Sequence, residues 1–465
     1  MMLLSEVFKE YGYDIIWTNK YWRYIDLWRS WYNGNVKSFH NYRVYNGVKR
    51  VNMKRRSLQM AKKLCEDWAD LEFNEKVTIT TDNEATNEKL NKILDDNDFW
   101  IMCNQGVEKS FGLGTGAFVC SVDNLSIDEE GNFINDGEAR TKIQFLTADK
   151  IIPLSWDNMY VTECAFVDEK TEGSKKITQI SIHKKNEQGN YIIDNRFYEN
   201  DKNNLREMKE KNYVFDTLGD IPWFEIYKPN ICNNIDMESP YGVSVFANSI
   251  DVLEGLDIAY DGLINEFLLG KKRIFIDKEL TKVSSIDGTE QLTFDVNDIA
   301  FYALPSDFNS GNNIGLQDST QELRVTSYNE GIQMLLNLLS SKAGFGQTYY
   351  KFENGTVATA TEIISENSQL YRTLNKHEII LEACLHDLVK VISYIETAFC
   401  GNDMPFENVI VNFDDSIIED KDKERQTDKG DLAIGIMKRE EYRAKYYNET
   451  EEEALKNLPE VETIV

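Results

Sequence analysis

Among the residues of this sequence, the stretch Gly112-Leu113-Gly114-Thr115-Gly116-Ala117 comes nearest to a phosphate-holding loop, because closely spaced glycines let backbone N–H groups approach an anion. Such a site needs a strand before the glycines and a helix N-terminus after them. Here the order is reversed, with a helical pattern ahead and a strand-like one behind, and no G-x-x-x-x-G-K-[ST] occurs anywhere. The glycines are read as a helix C-cap and turn. Only His40, His183, His377 and His386 offer imidazoles. The last two share one predicted helix but fall about 180° apart around it, so they cannot grip one metal ion. Neither H-E-x-x-H nor G-x-S-x-G is present. The acidic run Asp414-Asp415-Ser416-Ile417-Ile418-Glu419-Asp420-Lys421-Asp422 lacks the glycine and spacing of an EF-hand and reads as a solvated segment before a helix. The seven cysteines are odd in number and form no C-x-x-C pair, which points to reduced thiols made in a cytosol rather than to disulfides or zinc. No catalytic residue, metal or cofactor is assigned, and the chain reads as a non-enzyme. A metal-dependent nuclease, whose carboxylates would converge from distant positions, stays open as an alternative.

The elements that would position any functional group follow from periodicity. Tyr21, Tyr24, Trp28 and Trp31 recur at helical spacing before Asn33-Gly34; aromatic residues can stack on bases, but such a stripe is read as core or interface. Residues 53–70 repeat the helical pattern through Met53, Leu58, Ala61, Leu64, Cys65 and Trp68, and a strand-like Val77-Thr78-Ile79-Thr80 follows. Helices are expected near 86–96 and 99–110. From about 117 to 227 the pattern becomes a β-rich meander, with strands at 117–122, 142–146, 160–166, 177–184 and 191–198 and turns at Glu130-Gly131-Asn132 and Gln188-Gly189-Asn190. The first half is thus an α+β unit.

The second half is helical. A helix near 245–269 carries Phe246, Ile250, Leu253, Leu256, Tyr260, Leu263 and Phe267 on one face and Asp251, Glu254, Asp257, Asp261 and Asn265 on another. The basic cluster Lys271-Lys272-Arg273 leads into a strand, 277–318 reads as turns and short strands, and a second helix follows around 319–341. The pattern suggests a helical hairpin with a small β insert at its tip. After a loop rich in glycine and aromatics at 343–357, residues 358–398 are compatible with one helix, roughly 60 Å long at ~1.5 Å per residue. The tail from Ile417 is charged and helical in pattern.

At 465 residues, two or three compact units are expected, and with 7 prolines and no Pro/Gly/Ser-rich linker they should fold against one another. Hydrophobic residues at 42% exclude a disordered chain, whereas 79 acids against 51 bases leave a charge of −28. That charge opposes tight binding to a phosphate backbone and so disfavours a conventional DNA-binding domain. It suits either ordinary solubility or the wall of a conduit along which a polyanion slides. No apolar stretch is long enough to span a bilayer, and the N-terminus lacks a secretory pattern, so no membrane role is expected.

Several segments, taken in order, resemble the portal proteins of tailed phages that infect Gram-positive bacteria. They are Trp31-Tyr32-Asn33-Gly34 with Lys62-Lys63-Leu64-Cys65-Glu66-Asp67-Trp68-Ala69, then Tyr227-Lys228-Pro229-Asn230, then Tyr241-Gly242 leading to Lys271-Lys272-Arg273-Ile274-Phe275, and finally Thr359-Ala360-Thr361-Glu362-Ile363-Ile364-Ser365-Glu366-Asn367-Ser368. The resemblance implies an α+β portal fold: a wing over 1–244, stem helices at 245–270 and 319–342, a small α/β clip at 271–318, and a tunnel loop at 343–357. A long helix returning to the wing at 358–417 and a helical crown at 418–465 complete it. It implies a ring, typically of twelve copies, at a capsid vertex of a virion made in the host cytoplasm. The ring passes double-stranded DNA during packaging and ejection, and meets the terminase, capsid and scaffold proteins and head–tail connector proteins. In that frame Lys342, Gln347, Tyr349, Tyr350, Lys351 and Asn354 are the candidates for nearness to DNA, the tyrosines having packing between neighbouring loops as their other reading. Asp251, Glu254, Asp257 and Asp261 are candidates for an acidic channel lining, and Lys271, Lys272 and Arg273 for contact with DNA or the next subunit. Another phage head or tail adaptor is the nearer alternative.

Overall fold

Strands that alternate apolar and polar residues bury one face only when they pair into a sheet laid on something else. In the computed structural model, Lys175–Lys185 lies inside an antiparallel sheet in the order Asn204–Glu207, Tyr191–Asp201, Lys175–Lys185, Tyr160–Glu172, Ile151–Asp157, and Tyr213–Asp216 also pairs with Tyr191–Asp201. Ile180, Ile182 and Ile193 of this sheet reach the main core. A second, three-stranded sheet runs Phe224–Tyr227, Gly116–Asp123, Arg140–Thr147. The structure describes residues 2–15, 18–74, 77–127, 133–134, 137–158, 160–173, 175–201, 204–277, 282–284, 290–292, 301–304, 316–318, 322–351, 360–406, 408–413, 428–430, 432, 434, 436–447, 451–456 and 458.

The aromatic stripe is core. Thr18–Tyr32 is a helix whose Tyr21, Trp28 and Trp31 are buried, and Tyr21 stacks on Tyr241 with ring centroids 4.8 Å apart. The helices Glu84–Asp96 and Phe99–Leu113 form as expected, the second ending at Gly114 with φ +82. No side chain fits there, since a Cβ on Gly114 would meet the Gly242 carbonyl oxygen at 2.6 Å. One expectation fails at its start. The helix read over 53–70 is Met60–Glu72, and Met53 instead belongs to strand Arg50–Lys54, paired antiparallel with Asn41–Tyr45. The local cause is Asn46-Gly47: Gly47 has φ +92, and Asn46 Oδ1 accepts the N–H groups of Val48 (3.1 Å) and Lys49 (2.9 Å), so the chain turns into a hairpin before helical spacing can be used.

In the second half an outgoing helix, Ile250–Leu269, and a return helix, Val325–Ala343, lie antiparallel. Gly255 faces Leu335, and Gly262 faces Tyr328. The return helix starts later than the sequence suggested: Leu323 precedes it and is exposed, while Arg324 enters it in an ion pair with Glu266 at 2.9 Å. Between the helices, Ile274–Asp277 pairs in parallel with Phe301–Leu304 and antiparallel with Leu316–Asp318; most of 278–321 lies outside the described residues. The long helix is Ala360–Ala398, with Leu374, Leu381, Leu385, Leu388, Ile392 and Ile395 buried along one side. Val409–Asn412 then pairs antiparallel with Thr78–Thr81, bringing the late chain back onto the early one. Of the predicted helical tail, Arg439–Tyr447 and Glu451–Lys456 are helices, and 414–427, with the acidic run, lies outside the described residues.

Candidate functional site

The four acids of the outgoing helix do not share one environment. Asp251 is exposed and Glu254 half-buried, whereas Asp257 and Asp261 retain only 3% and 5% of their exposure. Asp257 Oδ1 accepts the Leu58 N–H at 2.7 Å, and its Oδ2 lies 3.0 Å from His40 Nε2. On its other side the imidazole Nδ1 lies 2.8 Å from the Val36 nitrogen and 3.1 Å from the Val36 carbonyl oxygen, so the ring bridges the loop at Val36 to the helix. Asp261 Oδ1 accepts from the Arg56 backbone N–H (3.2 Å) and guanidinium (2.9 Å). These two carboxylates are therefore internal anchors, and the reading of Asp257 and Asp261 as channel lining is corrected. The segment 36–59 crosses the middle of the helix and brings donors that need buried acceptors. Helical periodicity carries no signal of it.

The loop after the return helix is tied to the helix Met60–Glu72. Phe345 stacks on Trp68 at 4.3 Å and on Tyr349 at 4.4 Å, and the Trp68 indole N–H donates to the Ala343 carbonyl at 3.2 Å. The Tyr350 hydroxyl donates to Asp67 Oδ2 at 2.7 Å, and its carbonyl accepts from Gln333 Nε2 at 2.7 Å. Burial and the nearby carboxylate hold the Tyr350 phenol well above its usual range. Tyr349 keeps 41% of its exposure, and burial with Asp67 and Asp70 nearby pushes its phenol up to about 12. Both tyrosines thus pack within their own chain, and only Tyr349 keeps a large free surface. Lys342, Gln347 and Lys351 are exposed; Asn354 lies outside the described residues. Lys271 and Lys272 are exposed and Arg273 half-buried, at the far end of the hairpin from this loop.

A buried polar cluster went unread in the sequence. Glu72 is fully buried, and the Tyr227 hydroxyl donates to its carboxylate oxygens at 2.9 and 2.7 Å. Desolvation, aided by Glu378, pushes the Glu72 carboxyl up to about 8. Nearby, His377 Nδ1 accepts the Asn230 N–H at 3.0 Å, and burial pulls its pKa down to about 3. His386 instead pairs with Asp387 at the surface, so the two histidines diverge. Among the described residues, no three His, Cys, Asp or Glu side chains gather as metal ligands, and no helix is long and apolar enough to cross a membrane. Cys232 is exposed and the other six cysteines are buried.

A sequence model of the family described as phage portal protein, SPP1 Gp6-like, matches residues 14–463. No curated protein sequence matches the chain. Solved structures similar to it include one described as the neck of a native GTA particle computed with C12 symmetry. It is 11% identical, with 86% of this chain and 90% of that chain covered, at a TM-score of 0.41.

Proposed function

The chain belongs to the SPP1 Gp6-like family of phage portal proteins, and on that premise we propose that its copies close into a ring, of twelve members, that conducts double-stranded DNA through a capsid vertex. The observation that carries the reading is the family match from residue 14 to residue 463, nearly the whole chain. The ring serves packaging and ejection and docks the terminase, capsid and scaffold proteins and head–tail connectors. It does no covalent chemistry itself; ATP hydrolysis belongs to the motor.

The hairpin supports a stem role through its unsatisfied outer surface. Ile258, Phe267, Leu269, Met334 and Leu338 are all exposed, and apolar groups at such positions call for a neighbouring subunit. Asp251 and Glu254 are the acids left free to face a channel, where like charge keeps the polyanion from adhering. Among the described residues of the loop, Gln347, Tyr349 and Lys351 are free to meet DNA, and Asn354 stays a candidate outside them. Lys342 sits in the last turn of the return helix beside them, and Lys271, Lys272 and Arg273 meet the next subunit or DNA at the junction of stem and clip. Mass photometry and negative-stain images of the full-length protein test the ring: closed rings with a central hole are expected, and a stable monomer at high concentration ends the assignment. In assembled particles, Glu254→Lys should slow packaging and make it more salt-dependent; unchanged packaging would remove the acidic-lining role.

A further inference from the structure

No acid occurs between Asp26 and Glu66, although the protein carries a net charge of −28. Within this interval Arg43, Lys49, Arg50, Lys54, Arg55 and Arg56 cluster on and just after the ribbon Asn41–Tyr45 and Arg50–Lys54. Its register pairs Tyr42 with Met53 and Val44 with Val51, so these four share one face, while Arg43, Tyr45, Arg50 and Lys54 share the other. Arg55 lies over the Tyr42 ring at 4.9 Å, but the rest of the apolar face is open, with Val44 keeping 44% and Met53 39% of their exposure. A two-stranded ribbon alone is at best marginal in water and needs that face covered.

The ribbon's root is firm. The Arg55 N–H donates to the His40 carbonyl at 2.7 Å, the Arg55 guanidinium lies 4.1 Å from the Phe39 ring centroid, and Asp257 and Asp261 hold Leu58 and Arg56. The ribbon is thus an arm fixed to the outgoing helix near 257–261. Since Gly255 faces Leu335 and Gly262 faces Tyr328, that root is level with residues 329–333 of the return helix. There Glu330, Met334 and Leu338 form an exposed stripe one turn apart that the chain's own ribbon leaves uncovered.

We infer that the ribbon of one copy docks on the return helix of the next, laying Tyr42, Val44, Val51 and Met53 over Met334 and Leu338 and leaving the basic face of the ribbon to solvent. The inference rests on the ring reading. Rotation about an axis along the hairpin keeps heights equal, so an arm and a receiving stripe at one level meet between neighbours. Two different patches on one chain make a head-to-tail contact, the type that closes a ring. DNA is the weaker occupant, because a phosphate backbone would satisfy the basic face and leave the apolar one in water.

The test uses the full chain with Cys232→Ser. Val44→Cys with Met334→Cys should give, on oxidation, a ladder of covalent oligomers up to the ring size, and neither single variant should. Because Asn41 pairs with Lys54 at the root, replacing residues 42–53 by Asn-Gly should leave the melting temperature nearly unchanged while raising the concentration for half-assembly at least about tenfold. Rings that form normally without the ribbon, or rings of the double-cysteine variant that do not cross-link at this pair, overturn the inference while leaving the ring reading intact. Rings that persist without the ribbon but lose salt-dependent DNA binding overturn it in favour of a nucleic-acid arm. A wild-type protein that never forms rings sinks the ring reading and this inference together.

Discussion

The base of the hairpin and its far end treat apolar residues in opposite ways. At the base, Trp68 is sealed between Phe345 and Phe111, both stacked on it, with His377 edge-on to its ring, and the chain supplies these neighbours itself. At the far end, Phe267, Leu268 and Leu269 keep 48%, 45% and 68% of their exposure beside Lys271 and Lys272. The first region is finished within one copy. The second leaves apolar surface exposed, which in the proposed ring a neighbouring molecule covers, so the same residue types mark a finished core in one place and a candidate contact in the other.

That contrast sets the order of the experiments. Trp68→Ala should have the largest effect, about 3–5 kcal/mol of fold stability, because it removes a buried ring and leaves a cavity beneath the loop. Denaturant titration of the unassembled chain reads it, and a loss near zero would break the claim that the base is self-sufficient.

Glu72→Gln gives an intermediate, pH-dependent effect. The carboxyl titrates near its ordinary 4.5 when unfolded and at about 8 when folded, so the folded state holds its proton more tightly. Below the unfolded value both states are protonated and the carboxyl costs nothing. As pH rises towards 8 the unfolded state ionises first, and the native protein loses stability progressively. The variant should melt close to the native protein at pH 4.5 and several degrees above it at pH 8. Parallel pH profiles would show that Glu72 ionises freely inside the fold. The smallest effect belongs to Leu269→Ser, which should change the stability of the unassembled chain by no more than about 0.5 kcal/mol yet reduce assembly or binding at that end. A large loss of monomer stability would erase the contrast between the two regions.

Much of the architecture was readable because it repeats locally. The strands near 117–122, 142–146 and 177–184, the long helix to Ala398, and the turn at Gly114 all follow from spacing and glycine, and each forms. The hairpin Asn41–Lys54, which Asn46-Gly47 marks, is masked in the pattern because Met53 and Leu58 happen to continue backwards the helical spacing of Met60–Glu72.

The order of elements, the acidic balance and the ordered motifs that resemble phage portals are legible in the chain alone, since periodicity, charge and short motifs are properties of neighbouring residues. Tertiary structure alone decided which acids remained on the surface. Asp257 bonds to His40 from 217 positions away, and Asp261 to Arg56 from 205. A buried carboxylate is stable only where such distant donors arrive, and no local pattern records their coming.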